Sequence, residues 1–357
     1  MSFPYPDADA ASSGGVRPNA TRHTVKFTGQ GGEYFRIWIV NLALTIVTLG
    51  IYSAWAKVRR KRYFYGNTLI DGTPFDYQGN PLAILKGRII AALLLSAGSF
   101  GARSSTILAI LFTVIQVVGF PWLVVRSLAF NARNSAFRGL RFRFDGQWKT
   151  LLRIYALWGL ATAFTLGALY PSLKARLVQF RMAHHAWGAT RADIGLLSRE
   201  FYRIYLIGAG LFAVGLVAVG LVASVVGVLS MSAATVSGFL YFFVVGLFYL
   251  LCVLEWAYLN TRITNTVWNT LELGPVRFES RLRARELASI YVLNAIAVAF
   301  TLGLAVPWAT MNVMRYRAQS TDILVYGGLE AFVGVNTPDE SPTGEAIADL
   351  LDFDIGL

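Results

Sequence analysis

Hydrophobic residues in this chain run in long blocks, and three of those blocks share one design. Residues 33–63 read EYFRIWIVNLALTIVTLGIYSAWAKVRRKRY, an apolar run dotted with aromatics, a break at Thr48-Leu49-Gly50, then a dense basic patch. The same plan returns over 153–181 and 286–317, each again with Thr-Leu-Gly, at 165–167 and 301–303. Placing the triplets in register aligns Arg36 with Arg153, Asn41 with Asn294, Trp55 with Trp308 and Lys57 with Lys174. Tyr63 then aligns with Phe180 and Tyr316. Matches of this kind between distant segments predict duplication of one structural unit.

Between the three copies lie four further apolar runs, over 89–98, 107–125, 204–229 and 239–254. A helix needs about 20 residues to span lipid. Three of these runs reach that length alone or with polar flanks. The first does so only if it begins near Leu82 and lets Lys86 and Arg88 snorkel. A short alternating stretch precedes each copy (24–28, 141–145, 276–279) and reads as a half-buried strand. Asp71-Gly72 and Gly327-Gly328 are the residue pairs of tight hairpin turns.

The expected fold is therefore mainly α: a polytopic helical membrane protein, with three internal repeats and small β elements at the membrane surface. Its parts would be a disordered polar leader (1–23), a first unit of repeat segment plus hydrophobic hairpin (24–140), a second unit (141–275), a partial third unit (276–327) and an acidic tail (328–357). The leader has no apolar stretch of the kind a secretory signal needs, so the first hydrophobic segment would serve as an uncleaved insertion signal.

Residues 27–68, FTGQGGEYFRIWIVNLALTIVTLGIYSAWAKVRRKRYFYGNT, are similar to the YjgN family of bacterial inner-membrane proteins. The likeness extends through the repeats over most of the chain. It implies a location in the bacterial cell inner membrane, as a multi-pass protein; the family is catalogued as a domain of unknown function, so no activity comes with it. The second copy departs from the motif, with Leu169, Ser172 and Gln179 where the first has Tyr52, Trp55 and Arg62.

Composition agrees with a membrane setting. Mean hydropathy is +0.52, and apolar residues make up 55% of the chain against 15% charged, too oily for an ordinary soluble protein. All 32 Lys and Arg fall before residue 318, against 12 acids there, leaving +20; the remaining eight acids follow. A basic body on a membrane protein points to anionic headgroups of the bilayer as partner. The bases are scattered over membrane-flanking loops, which argues against nucleic acid. Candidate headgroup contacts are Lys57, Arg59, Arg60, Lys61, Arg62, Lys174 and Arg176. A protein partner for the acidic tail stays open, beside a solvated end.

Charge and hydropathy disagree about topology. If each Thr-Leu-Gly segment crosses the bilayer, seven spans follow, and the loop holding Lys174, Arg176, Arg181, Arg191, Arg199 and Arg203 falls outside. Positive charge belongs on the cytoplasmic side. If the segments dip in and return, every basic loop is cytoplasmic, and the nearly uncharged turns near 103 and 230–238 face the other way. Charge favours re-entry, and the four-to-seven-span range stays open on sequence alone.

Catalytic chemistry is not legible. Three histidines (His23, His184, His185) and Cys252 make no convincing metal site, and no phosphate-cradling loop, GxSxG or HExxH is present. No enzyme activity, cofactor or metal is expected. Polar residues inside apolar segments are more informative: Asn41, Asn294 and Glu255 are candidates for a polar pathway, with helix–helix hydrogen bonding as the plainer role. Two function classes follow. One is solute transport or permeation, because repeated units with interrupted apolar segments point to a substrate site. The alternative is a non-enzymatic membrane scaffold or anionic-lipid-binding protein.

Overall fold

The computed structural model describes residues 20–326 except 196–197 and 231–233; the Gly327-Gly328 pair, the tail 328–357 and leader residues 1–19 lie outside the described residues. Ten strands are described: β1 (Thr21–Phe27), β2 (Thr68–Ile70), β3 (Thr73–Tyr77), β4 (Ser135–Phe137), β5 (Leu140–Phe144), β6 (His185–Trp187), β7 (Thr190–Ile194), β8 (Leu271–Leu273), β9 (Val276–Ser280) and β10 (Thr321–Val325). They close into one antiparallel barrel in which chain neighbours are spatial neighbours and β1 pairs with both β2 and β10. This corrects the expectation of a polytopic helical protein with small β elements at the membrane surface. The strands form a single closed body assembled from the whole length of the chain.

Local chemistry explains the hairpins. Asp71-Gly72 and Arg138-Gly139 have positive φ at both positions, the type I′ pattern whose twist matches paired strands. Gly188 and Gly274 have positive φ ahead of Ala189 and Pro275, the type II′ pattern. Inward-facing side chains fill the barrel: Ile70, Phe137, Leu140, Trp187, Leu273, Val276, Ile323 and Val325 are buried together. The Phe75 and Phe137 ring centroids lie 4.6 Å apart, tilted by 31°, and those of Phe137 and Trp187 lie 5.7 Å apart. The barrel is thus a packed core. Outside, Asp322 accepts from Arg22 at 3.4 Å and Arg281 at 3.3 Å, tying β1 and β10 to the end of β9.

Helical hairpins hang between alternate strand pairs. The first is α1 (Gly31–Val47) and α2 (Ser53–Gly66), and the second α3 (Pro81–Ser104) and α4 (Thr106–Arg133). The third comprises α5 (Trp148–Ile154), a π-helical turn (Tyr155–Gly159), α6 (Leu160–Phe164) and α7 (Tyr170–Ala183). The fourth is α8 (Ser198–Ser230) with α9 (Ala234–Thr270), and the fifth α10 (Ala284–Phe300) with α11 (Val306–Gln319). Each leaves one strand and returns to its antiparallel neighbour, as in β1–β2, β5–β6 and β9–β10. Adjacent antiparallel strands start and finish on the same rim. All five hairpins therefore hang from one rim. The four tight turns lie at the opposite rim, where Thr21 pairs with Val325.

The hairpins come in two lengths. At 1.5 Å per residue, the 33 residues of α8 and 37 of α9 reach roughly 50 Å, whereas the 17 residues of α1 reach about 25 Å. Among the described residues, three helices are long and apolar enough to cross a membrane: Thr106–Arg133, Ser198–Val228 and Leu240–Thr270. All belong to the second and fourth hairpins. The first, third and fifth turn back at Thr-Leu-Gly.

Those three tips share one geometry. Leu49, Leu166 and Leu302 have φ near +50° and stand 94–98% exposed, followed by glycines at φ +92° or +93°. The glycine N–H closes the preceding helix on a carbonyl five residues back, at 2.8 Å in each copy (Gly50 to Thr45, Gly167 to Thr162, Gly303 to Val298). The threonine serves both arms. Thr48 Oγ1 donates to Leu44 O at 2.7 Å and accepts from Tyr52 N at 2.9 Å. Thr301 does the same with Ala297 O and Ala305 N, and Thr165 with Ala161 O and Leu169 N. A turn inside lipid must satisfy its own backbone. In Thr-Leu-Gly the threonine and glycine make these bonds, and the leucine is the most exposed large side chain of the tip.

Candidate functional site

The first, second and fifth hairpins line an open cavity of about 1110 Å³ next to the barrel. Its floor includes Phe75 and Phe142 of the barrel and Thr68 of β2. Trp38 and Leu42 of α1 form an apolar wall with Val306 and Met314 of α11. The other wall is basic. Lys57 and Lys61 stand one helical turn apart on α2, with Arg60 beside them, and α3 contributes Arg88.

Each cation is held by neutral partners or by none. Lys61 Nζ donates to Asn131 Oδ1 of α4 and lies 4.7 Å over the Tyr77 ring. Arg88 donates to Ser53 Oγ at the start of α2. Among the described residues no carboxylate lines the cavity or pairs with Lys57, Arg60, Lys61 or Arg88. Burial, then the neighbouring Lys57 and Arg60 charges, pushes Lys61 down to about 8. Lys57 is lowered by burial first and by Arg88 and Arg60 after it. His185 of β6 also lines the cavity; its Nδ1 lies 2.6 Å from Arg181 O, and burial lowers its pKa. The neutral imidazole therefore adds no charge to the site near pH 7.

The sequence candidates separate. Asn41 lines the cavity, is only 8% exposed, and its Oδ1 has no partner. Asn294 is elsewhere and clasps the fifth hairpin: its Nδ2 donates to Ala309 O at 3.0 Å, and its Oδ1 accepts from Asn312 at 3.2 Å. Glu255 of α9 packs against α8 at Gly208, where an added Cβ would meet Oε1 at 2.4 Å. The three do not share a pathway. Of the candidate headgroup contacts, Lys57, Arg60 and Lys61 line the cavity, Lys57 and Lys61 half-buried and Arg60 exposed; Arg59 and Arg62 are exposed and do not line it. Arg62 Nε donates to Tyr77 O at 3.2 Å. In the third hairpin Lys174 is half-buried, and Arg176 stacks 4.0 Å over Trp158.

Arg88, Ser53 and Asn131 were not legible as site residues. Arg88 reads along the chain as a snorkelling base, and only the packing of α3 on α2 brings it to Ser53. Its distance from any acid in sequence was the available signal.

Comparison with known proteins follows the same lines. The Inner membrane protein YjgN of Salmonella typhimurium is 26% identical, over 90% of this chain and 92% of its own length. YjgN of Escherichia coli K12 is 32% identical over 34% of the chain and 31% of its own length. No solved structure matches. With those relatives, and with three helices suited to spanning a bilayer, the chain resides in the bacterial inner membrane. The model of the family described as bacterial protein of unknown function (DUF898) matches residues 22–350, so the chain belongs to that family.

Proposed function

We propose that this protein is a non-enzymatic membrane protein that binds the anionic headgroup of a bilayer amphiphile between its first, second and fifth hairpins. The observation that carries this reading is the cavity itself: four cations on one wall, no carboxylate among the described lining residues, and an apolar wall opposite. Unpaired cations inside a membrane protein are costly and mark functional sites. Two features weigh against permeation through the barrel: its interior is packed with side chains, and the cavity ends on Phe75 and Phe142. The recurrence of a strand–hairpin–strand arrangement supports descent of the units from one duplicated element.

Thermal unfolding of the full chain in lipid nanodiscs tests the reading. Phosphatidylglycerol, titrated into phosphatidylcholine, is expected to raise Tm, because a ligand bound only by the native state stabilises it increasingly with concentration. Lys57→Gln with Arg60→Gln should remove most of that rise. Equal Tm in the neutral and anionic lipid would contradict the reading.

A further inference from the structure

The charge count at the cavity narrows the ligand. We infer that the site is built for an amphiphile whose phosphate headgroup carries at least two negative charges, as in a phosphomonoester, a diphosphate or a bis-phosphate lipid. The inference rests on the headgroup-binding reading and goes beyond it in naming the valence.

Four cationic side chains converge from two helices, Lys57, Arg60 and Lys61 from α2 and Arg88 from α3. Their polar contacts are neutral: Asn131 and the Tyr77 ring for Lys61, and Ser53 for Arg88. A single phosphodiester would offset one of four charges and leave three repelling each other in a partly desolvated space. A second negative charge removes much of that repulsion. Burial first, and then the charges of Lys57 and Arg60, lower the Lys61 pKa.

Two more observations shape the ligand. At about 1110 Å³ the cavity exceeds the roughly 300–1,000 Å³ typical of small-molecule sites. Leu42, Phe64, Val306 and Met314 give a free anion nothing to contact, whereas an acyl or isoprenyl chain would cover them. Asn41 adds an acceptor on α1: its Oδ1 is buried without a donor, in a site whose cations only donate. A headgroup hydroxyl or a protonated phosphate oxygen supplies that donor.

The experiment compares Tm shifts of the full chain in nanodiscs holding cardiolipin, phosphatidic acid or phosphatidylglycerol, matched in total lipid charge so that surface potential is constant. Inorganic pyrophosphate added to phosphatidylcholine discs forms a separate arm. Cardiolipin or phosphatidic acid is expected to show about tenfold tighter apparent affinity than phosphatidylglycerol, the equivalent of about 1.4 kcal/mol. Arg88→Gln, which keeps a donor for Ser53, and independently Lys57→Gln, should each shrink that preference. Equal shifts from all three lipids at matched charge would overturn the valence inference and leave headgroup binding standing. No shift from any anionic lipid would overturn both. A pyrophosphate effect as large as the lipid effect would overturn the amphiphile assignment in favour of a soluble anion.

Discussion

Lys61 concentrates the energetics of the site. Its charge is disfavoured by burial and by Lys57 and Arg60, so its pKa falls from 10.5 to about 8. The unfolded chain therefore binds more protons than the native one between about pH 8 and 10.5, and stability rises with pH across that window. Below pH 8 the lysine is charged in both states and the penalty is constant. Lipid-free protein should accordingly gain Tm between pH 8 and 10.5, and Lys61→Met should remove the Lys61 share of that gain. Headgroup affinity should move the opposite way, weakening above pH 8 as the cation is lost. An unchanged slope in the variant would contradict this assignment. Some of this residue-level picture was legible: Lys57, Arg60 and Lys61 stood out as a basic cluster on one helix. Asn294 aligned with Asn41 in the repeats and Glu255 stood near the end of an apolar run, yet the fold spends Asn294 on an intrahairpin clasp and packs Glu255 against Gly208.

Among the elements, the short hairpins were the most legible and the strands the least. Thr-Leu-Gly announced a break in an apolar run, and the structure gives each of its letters a task. Thr48 satisfies backbone groups of both arms, so Thr48→Val leaves Leu44 O without its side-chain donor and strips the side-chain acceptor from Tyr52 N. A loss of about 1–3 kcal/mol is expected, measured as reduced resistance to denaturant in detergent micelles. Thr301→Val should behave alike, and unchanged stability in both would contradict the capping role. The strands were partly seen, since 24–28, 141–145 and 276–279 overlap β1, β5 and β9. Four of the others, β2, β4, β6 and β8, have only three residues, too few for alternation to register. Closure of a barrel was invisible because strands adjacent in space are separated by whole helical hairpins, 40 residues between β1 and β2 and more than 70 between β7 and β8.

For the molecule as a whole, antiparallel order puts all five hairpins on one rim of the barrel. A strand that leaves the barrel and a neighbour that returns to it share a rim, so every hairpin carries the chain back to the side it left. The basic segments then lie together at the barrel, in keeping with the charge rule for cytoplasmic loops. Among the described residues, helices α4, α8 and α9 of the second and fourth hairpins are long and apolar enough to cross a bilayer, and the three Thr-Leu-Gly hairpins turn back within shorter helices. The measurement that tests this account most directly is accessibility of the tight turns. Cys252→Ser is combined with Asp71→Cys or Ala189→Cys, both at exposed turns on the rim away from the hairpins. Intact cells and inverted vesicles are then treated with an impermeant maleimide. The account predicts that both cysteines are protected in cells and labelled in inverted vesicles. Labelling of Ala189→Cys from outside, with Asp71→Cys protected, would mean that the Thr-Leu-Gly segments cross the membrane, and would contradict a barrel whose hairpins all hang from one rim.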